Sequence, residues 1–290
     1  MILIAGPASS YLAEKLAPLL GIKLMNIEHK LFPDGESYIR FAEDVSGEDL
    51  LVVQGTHPPQ DRHLMQAFLI ADAALDLGAR SISLICPYLA YARQSRRFLE
   101  GEAISSKTVL KLLHESGYRR VYTVNVHSPS IAEGMLIQLI DIRAEKALAD
   151  HLKKMSLESP IIVSVGKGGK EMANALAREM KTEYAVAISK RDRVTGEVSI
   201  EIEKISAETA IVVDDIISTG GTMAKLIKAL KEMEVKRVYA TCIHALLIGE
   251  AVKKILDAGA ERIIASDTIP NKYAEYTVAG VIAERLRREL

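Results

Sequence analysis

The residues best suited to do chemistry lie in the stretch TAIVVDDIISTGGTMA, residues 209–224. An apolar run, 210–213, ends in two adjacent carboxylates, Asp214 and Asp215, and is followed closely by Ser218, Thr219, Gly220, Gly221 and Thr222. Paired glycines permit a tight turn whose N–H groups point inward, and a helix beginning there adds the positive end of its dipole. With three hydroxyl donors this describes a cradle for a monophosphate. Two carboxylates beside it would repel a bare phosphate, but they can accept hydrogen bonds from hydroxyls. The ligand that satisfies both halves carries a diol next to its phosphate: a sugar phosphate.

Other segments offer complementary chemistry. Phe32-Pro33-Asp34-Gly35-Glu36 is a turn with an aromatic face and the carboxylates of Asp34 and Glu36, suited to stacking a base and accepting from its amino group. Arg93 and Gln94 follow the run SISLIC and a Pro-Tyr turn, where a guanidinium suits triphosphate oxygens. His127 closes the run RVYTVNV. Lys190, Arg191 and Arg193 form a basic loop after YAVAIS. Lys167, Gly168 and Gly169, with Lys170, stand before a helical pattern and make an anion nest. That nest is neither a Walker A loop, since Glu171 follows Lys170, nor G-x-G-x-x-G, since Glu171 stands where the third glycine belongs. Taken singly, several of these have ordinary readings: a bare turn, a solvated charge run, a structural histidine. His114 and His151 fall in helical patterns and are expected to face solvent; like His29, His57, His63 and His244, they receive no role.

Such residues need a scaffold that brings loops together. Short apolar runs at 2–5, 49–55, 81–86, 120–126, 160–165, 209–214, 237–243 and 262–266 read as strands. Helical patterns alternate with them near 9–20, 60–77, 104–116, 143–155, 170–180, 221–233, 248–258 and 277–289. In the first, Leu12, Leu16, Leu19 and Leu20 share a face behind Ser9 or Ser10 as cap. Strand–helix–strand spacing of this kind implies an α/β fold with a mainly parallel, doubly wound sheet, whose strands are buried on both faces. The pattern restarts near 143–160, dividing the chain into domains 1–142 and 143–290. The alternating stretches 28–48 and 189–208 read as antiparallel ribbons. In such sheets ligands bind beyond the carboxyl ends of the strands, where the candidate residues fall.

A chain of 290 residues, 49% hydrophobic and 26% charged, is long enough for two folded domains. The net charge of −1 selects neither nucleic acid nor an anionic membrane. No apolar stretch approaches the ~18 residues of a membrane span, and the start, MILIAGPASS, lacks the features of a signal peptide. A cytoplasmic protein is expected, with Cys86 and Cys242 as reduced core thiols.

VVDDIISTGGT resembles the phosphoribosyl-binding motif of type I phosphoribosyltransferase folds. With FPDGE, PYLAYARQ, GEAISS, NVHSP and SKRDR, in the same order across nearly the whole chain, it resembles the ribose-phosphate pyrophosphokinase (PRPP synthase) family, and its GEAIS form is similar to archaeal members. The resemblance implies two tandem phosphoribosyltransferase-like domains, the first contributing to an ATP site and the second holding ribose 5-phosphate. It implies transfer of the pyrophosphoryl group of ATP, with Mg²⁺, to the C1 hydroxyl of ribose 5-phosphate. By the same resemblance FPDGE is an adenine loop reaching a neighbouring subunit, which implies at least a homodimer. Phe32, Asp34, Glu36, Arg93, Gln94 and His127 then bind ATP, with His127 at its metal-bearing end. Asp214, Asp215 and 218–222 bind ribose 5-phosphate; Lys167, Gly168 and Gly169 form the pyrophosphate loop; Lys190 with Arg191 or Arg193 is catalytic. The chain departs from the pattern at Val165-Gly166, where the family has Pro-Asp, and at Ser95, where many members have Asp. Two alternatives follow: a phosphoribosyltransferase that uses PRPP, against which the adenine-loop and PYLAYARQ segments argue, and a non-catalytic regulatory homologue, for which Gly166 argues.

Overall fold

A computed structural model of the chain describes residues 1–191 and 198–289, with 167, 189–191 and 198–199 described in their backbone only. Two compact units form, one from 1–143 and 279–290, the other from 144–278. The first runs through β1 (Ile2–Ala5), α1 (Ser10–Leu20), β2 (Lys23–Asn26), β3 (Glu28–Leu31), β4 (Ser37–Arg40), β5 (Asp49–Val53), α2 (Gln60–Asp76), β6 (Ser81–Cys86), α3 (Ser105–Glu115), β7 (Arg120–Val124) and β8 (Gln138–Ile142). The second runs through α4 (Glu145–Leu152), β9 (Pro160–Val165), α5 (Lys170–Met180), β10 (Tyr184–Arg191), β11 (Val198–Glu201), β12 (Thr209–Ile217), α6 (Gly221–Glu232), β13 (Arg237–Ala245), α7 (Ala251–Asp257), β14 (Arg262–Ser266) and β15 (Ala274–Tyr276). The last helix, α8 (Ala279–Leu286), belongs to the first unit.

Both sheets are doubly wound. The first has the order β2-β1-β5-β6-β7-β8, parallel throughout. The second has the order β11-β10-β9-β12-β13-β14-β15, with only the β10–β11 pair antiparallel. Helices on both faces bury the central strands completely: Val52, Val53, Ile211, Val212 and Val213 have no exposed surface, which explains their unbroken apolar runs. The two predicted ribbons are present as the β3–β4 hairpin and the β10–β11 pair.

Several expectations need correction. The strands β2, β8 and β15 were not anticipated, because each lies at a sheet edge, is three to five residues long and mixes polar with apolar residues. In α1 the buried face is Leu12, Ala13, Leu16 and Ala17, while Leu19 is exposed. Ser9 does not cap that helix with its side chain; its hydroxyl accepts the N–H of Gly55 at 2.8 Å. His114 and His151, expected to face solvent, are half-buried, and two of the other histidines given no role, His57 and His244, are buried. The expected second domain, 143–290, loses its last segment: α8 packs on α1, burying Ile282, Ala283 and Leu286. Glu289 then accepts a hydrogen bond from the Tyr122 hydroxyl and pairs with Arg285 at 2.6 Å and Arg120 at 3.7 Å, tying the segment to β7.

Leu286→Ala should therefore destabilise the first unit by about 2–5 kcal/mol, through lost burial and the cavity left behind. Hydrogen exchange should quicken in α1 and β1 and stay unchanged across β9 to β15; the reverse pattern would contradict the assignment of α8.

Candidate functional site

In the second sheet, chain order reverses between β9 and β12, which are neighbours with Val213 opposite Ser164. That switch point is where an open α/β sheet leaves a crevice at its carboxyl edge. Three predicted segments emerge there from adjacent strands. The single 3₁₀ turn Lys167–Gly169 follows β9 and lies against the ends of β10 and β12. Residues 218–220 follow β12. Lys190 and Arg191 end β10, paired in backbone register with Ser199 and Val198 of β11. Arg193 lies outside the described residues.

The turn after β12 is built around one glycine. Gly220 has φ 72°, and a Cβ on it would stand 2.9 Å from the carbonyl oxygen of Ala251. Backbone bonds from Leu247 N to Ile217 O at 3.0 Å and from Ile248 N to Ser218 O at 2.9 Å clamp the same turn from the end of β13. Gly221 differs: its φ is ordinary and nothing lies within 4 Å of a Cβ placed there. The space over Gly221, at the start of α6, is therefore open. Gly220, the N-cap residue of α6, supplies no side-chain cap, and the first N–H groups of the helix begin beside that space. The same holds for α5, which starts at Lys170 behind Gly169. Two uncapped helix ends at one switch point suit a ligand carrying anionic groups at two positions.

Asp214 and Asp215 are half-buried at the top of β12. Each directs one carboxylate oxygen to the next backbone N–H, Asp214 to Asp215 N at 3.0 Å and Asp215 to Ile216 N at 2.9 Å, which fixes their rotamers at the cradle's edge. Burial, and to a lesser degree these two carboxylates, push the Cys242 thiol of β13 well above its ordinary range, so it stays a protonated core residue. Cys86 is likewise buried, its thiol pushed up to about 12 by desolvation. At the end of β13, His244 Nδ1 meets Thr268 Oγ1 at 2.9 Å, and Ser266 and Thr268 donate to Ile243 O at 2.7 and 3.0 Å. This network under β13 could not be read from residue spacing.

Gly166, where the resemblance expects Asp, has φ 78°, and its carbonyl accepts from Ser164 Oγ at 3.2 Å. The left-handed conformation favours glycine. Among the described residues no group of three His, Cys, Asp or Glu could hold a metal ion.

The first sheet has its own switch point between β1 and β5, and it is closed. The fully buried Gln54 amide fills it: Oε1 accepts Ala8 N at 2.9 Å, and Nε2 donates to His63 O at 3.1 Å and Gln66 Oε1 at 3.2 Å. A Cβ on Gly6 would stand 2.4 Å from Gln54 Oε1. Candidate residues of this unit lie elsewhere. Arg93 and His127 are exposed on the segments that leave the adjacent strands β6 and β7. Gln94 Nε2 bonds Glu102 Oε2 at 3.2 Å, and the N–H groups of Phe98 and Leu99 hold that carboxyl below its usual range. Phe32, Asp34 and Glu36 sit at the exposed tip of the β3–β4 hairpin, whose strand β4 packs on α2. Asp34 Oδ1 accepts Glu36 N at 3.1 Å, and Phe32 meets Tyr38 edge-on at 6.0 Å with Lys30 over both rings. Each unit thus gathers its own candidates.

Residues 1–117 match the family model for the N-terminal domain of ribose phosphate pyrophosphokinase, and residues 136–274 match that for the phosphoribosyl transferase domain. The ribose-phosphate pyrophosphokinase of Sulfolobus acidocaldarius is 38% identical, with 100% of both chains covered. That of Saccharolobus solfataricus is 39% identical, with 93% of each covered. The crystal structure of phosphoribosylpyrophosphate synthetase from Mycobacterium smegmatis superposes with a TM-score of 0.88 at 27% identity, covering 99% of this chain and 98% of that one. With its two sheets and this full-length similarity, the chain belongs to the ribose-phosphate pyrophosphokinase family.

Proposed function

We propose that the protein transfers the pyrophosphoryl group of ATP to the C1 hydroxyl of ribose 5-phosphate, giving PRPP and AMP. The observation that carries this reading is the β9–β12 switch point, where α5 and α6 begin behind glycines after adjacent strands, Asp214 and Asp215 stand on β12, and nothing lies within 4 Å of a Cβ placed on Gly221. The α6 end, with Ser218, Thr219 and Thr222, holds the 5-phosphate; Asp214 and Asp215 accept from the ribose hydroxyls; the α5 end, with Gly168 and Gly169, receives the pyrophosphoryl group. A phosphoryl-type transfer depends on positioning and charge neutralisation, so no covalent enzyme nucleophile is required.

The same reading assigns the nucleotide to Arg93, Gln94 and His127, and its adenine to Phe32, Asp34 and Glu36. The exposed hairpin tip suits delivery of that adenine contact to a second copy, hence at least a homodimer. His127 would contact Mg²⁺ at the triphosphate end of the site, where the ion would supply neutralisation of phosphate charge. Lys190, with Arg191 or Arg193, stabilises the charge that develops on the phosphates as the bond to AMP breaks. No helix among the described residues is long and apolar enough to cross a membrane, and a reaction on these two metabolites suits the cytoplasm.

Incubation with ATP, Mg²⁺ and ribose 5-phosphate, with no base or PRPP present, should release AMP. Failure to release it would favour the regulatory homologue. Lys190→Ala should lower turnover by about 10²–10³ with the fold intact, the scale seen on removing one charge-stabilising donor; near-normal turnover would remove Lys190 from the mechanism. The two glycines should separate in a paired test. Gly221→Ala leaves thermal stability unchanged or slightly raised, since its Cβ meets nothing, yet raises the KM for ribose 5-phosphate by filling the cradle. Gly220→Ala lowers the melting temperature as well. Equal behaviour of the two variants would contradict the proposed cradle.

A further inference from the structure

The segment that delivers Arg93 and Gln94 contains an aromatic residue in a conformation that strains it. Tyr91 has φ 63°, in the left-handed region where a bulky side chain crowds its own backbone. Such strain persists only where the surroundings over-determine it. On the amino side they do: the buried Thr56 donates from both N and Oγ1 to Tyr88 O at 3.0 Å and accepts from Ala90 N at 2.7 Å. On the carboxyl side, Gln94 N reaches back to Tyr91 O at 3.2 Å, and Ser106 Oγ donates to Gln94 O at 3.1 Å.

Packing does not hold the ring of Tyr91. It is 41% exposed and borders a groove of about 340 Å³, lined by Leu64, Phe68, Val109 and Leu112, that leaves it room to swing. The phenol hydroxyl instead donates to Asp61, in the first turn of α2. One residue separates Tyr91 from Arg93, and it is Ala92, only 4% exposed. Relaxing the backbone at 91 must either pull Ala92 from the core or turn Arg93 to a new direction.

We propose that Asp61 and Tyr91 are positioning residues for the nucleotide: their hydrogen bond holds the strained turn that aims Arg93 and Gln94. This rests on the reading of those two side chains as ligands of the triphosphate. Neither Asp61 nor Tyr91 need touch the substrate, and the effect is confined to one of the two substrates.

The test is a variant series with steady-state kinetics for both substrates, calorimetric titration with ATP alone, and thermal melting. Tyr91→Phe and Asp61→Ala should each raise the KM and the Kd for ATP about tenfold, the scale of one hydrogen bond to a charged group, with the KM for ribose 5-phosphate and the melting temperature unchanged. Asp61→Asn keeps an acceptor oxygen and should recover most of the loss. The Asp61→Ala/Tyr91→Phe double variant should be no worse than either single one, because both remove the same bond. Unchanged ATP affinity in Tyr91→Phe, or equal losses for both substrates together with a lower melting temperature, would overturn the proposal. Weakened ATP binding in the variants of a wild type that makes no AMP would uphold the positioning role and sink the proposed reaction instead.

Discussion

A Cβ on Gly220 would lie 2.9 Å from the carbonyl oxygen of Ala251, and a φ of 72° disfavours side chains there for a second reason. Glycine at this one position lets β12 turn sharply into α6 while α7 presses against the turn. The bonds from Leu247 and Ile248 to Ile217 and Ser218 exist because that approach is possible. They in turn hold the first N–H groups of α6 beside the open space over Gly221. The buried network of His244, Ser266 and Thr268 ties the end of β13 to the end of β14. Anion binding by a backbone needs such pre-positioning, since a helix end that had to reorganise would lose in entropy what it gained in electrostatics.

The two units make the point by contrast. Their sheets share a topology, and both have a switch point at the carboxyl edge. In the first, Gln54 folds its amide into the crevice and satisfies Ala8, His63 and Gln66. In the second, the corresponding strand carries Asp214 and Asp215, each accepting from the next backbone N–H, and nothing lies within 4 Å of a Cβ placed on Gly221. That contrast supports the proposed placement of the sugar phosphate in the second unit. The first is left to present residues from β6, β7 and the β3–β4 hairpin.

Features encoded locally were legible in the sequence. The central strands betrayed themselves by continuous apolar runs, and STGGT announced a cradle because glycine, hydroxyl and helix start are all read within a few residues. Contacts between distant positions were not legible. The edge strands β2, β8 and β15 lack the two-faced burial that makes a run apolar. The return of α8 to α1 pairs positions more than 250 residues apart, as the bond from Arg287 to Leu19 O (|i−j| 268) illustrates. The Gln54 plug and the Asp61–Tyr91 bond have the same character: no local pattern distinguishes that glutamine, or that aspartate, from a solvated one. Gly166 is the intermediate case, visible as a departure from the family pattern, its left-handed φ evident only in the fold.

What most distinguishes this account is that the β- and γ-phosphorus of ATP leave together. Phosphorus NMR of a mixture of protein, Mg²⁺, ATP and ribose 5-phosphate follows each phosphorus separately. The account predicts AMP in a one-to-one ratio with a product that carries a diphosphate on C1 and retains the 5-phosphate resonance. ADP with a ribose bisphosphate, which would mean that only the γ-phosphoryl group moved, would contradict it, as would an unchanged spectrum.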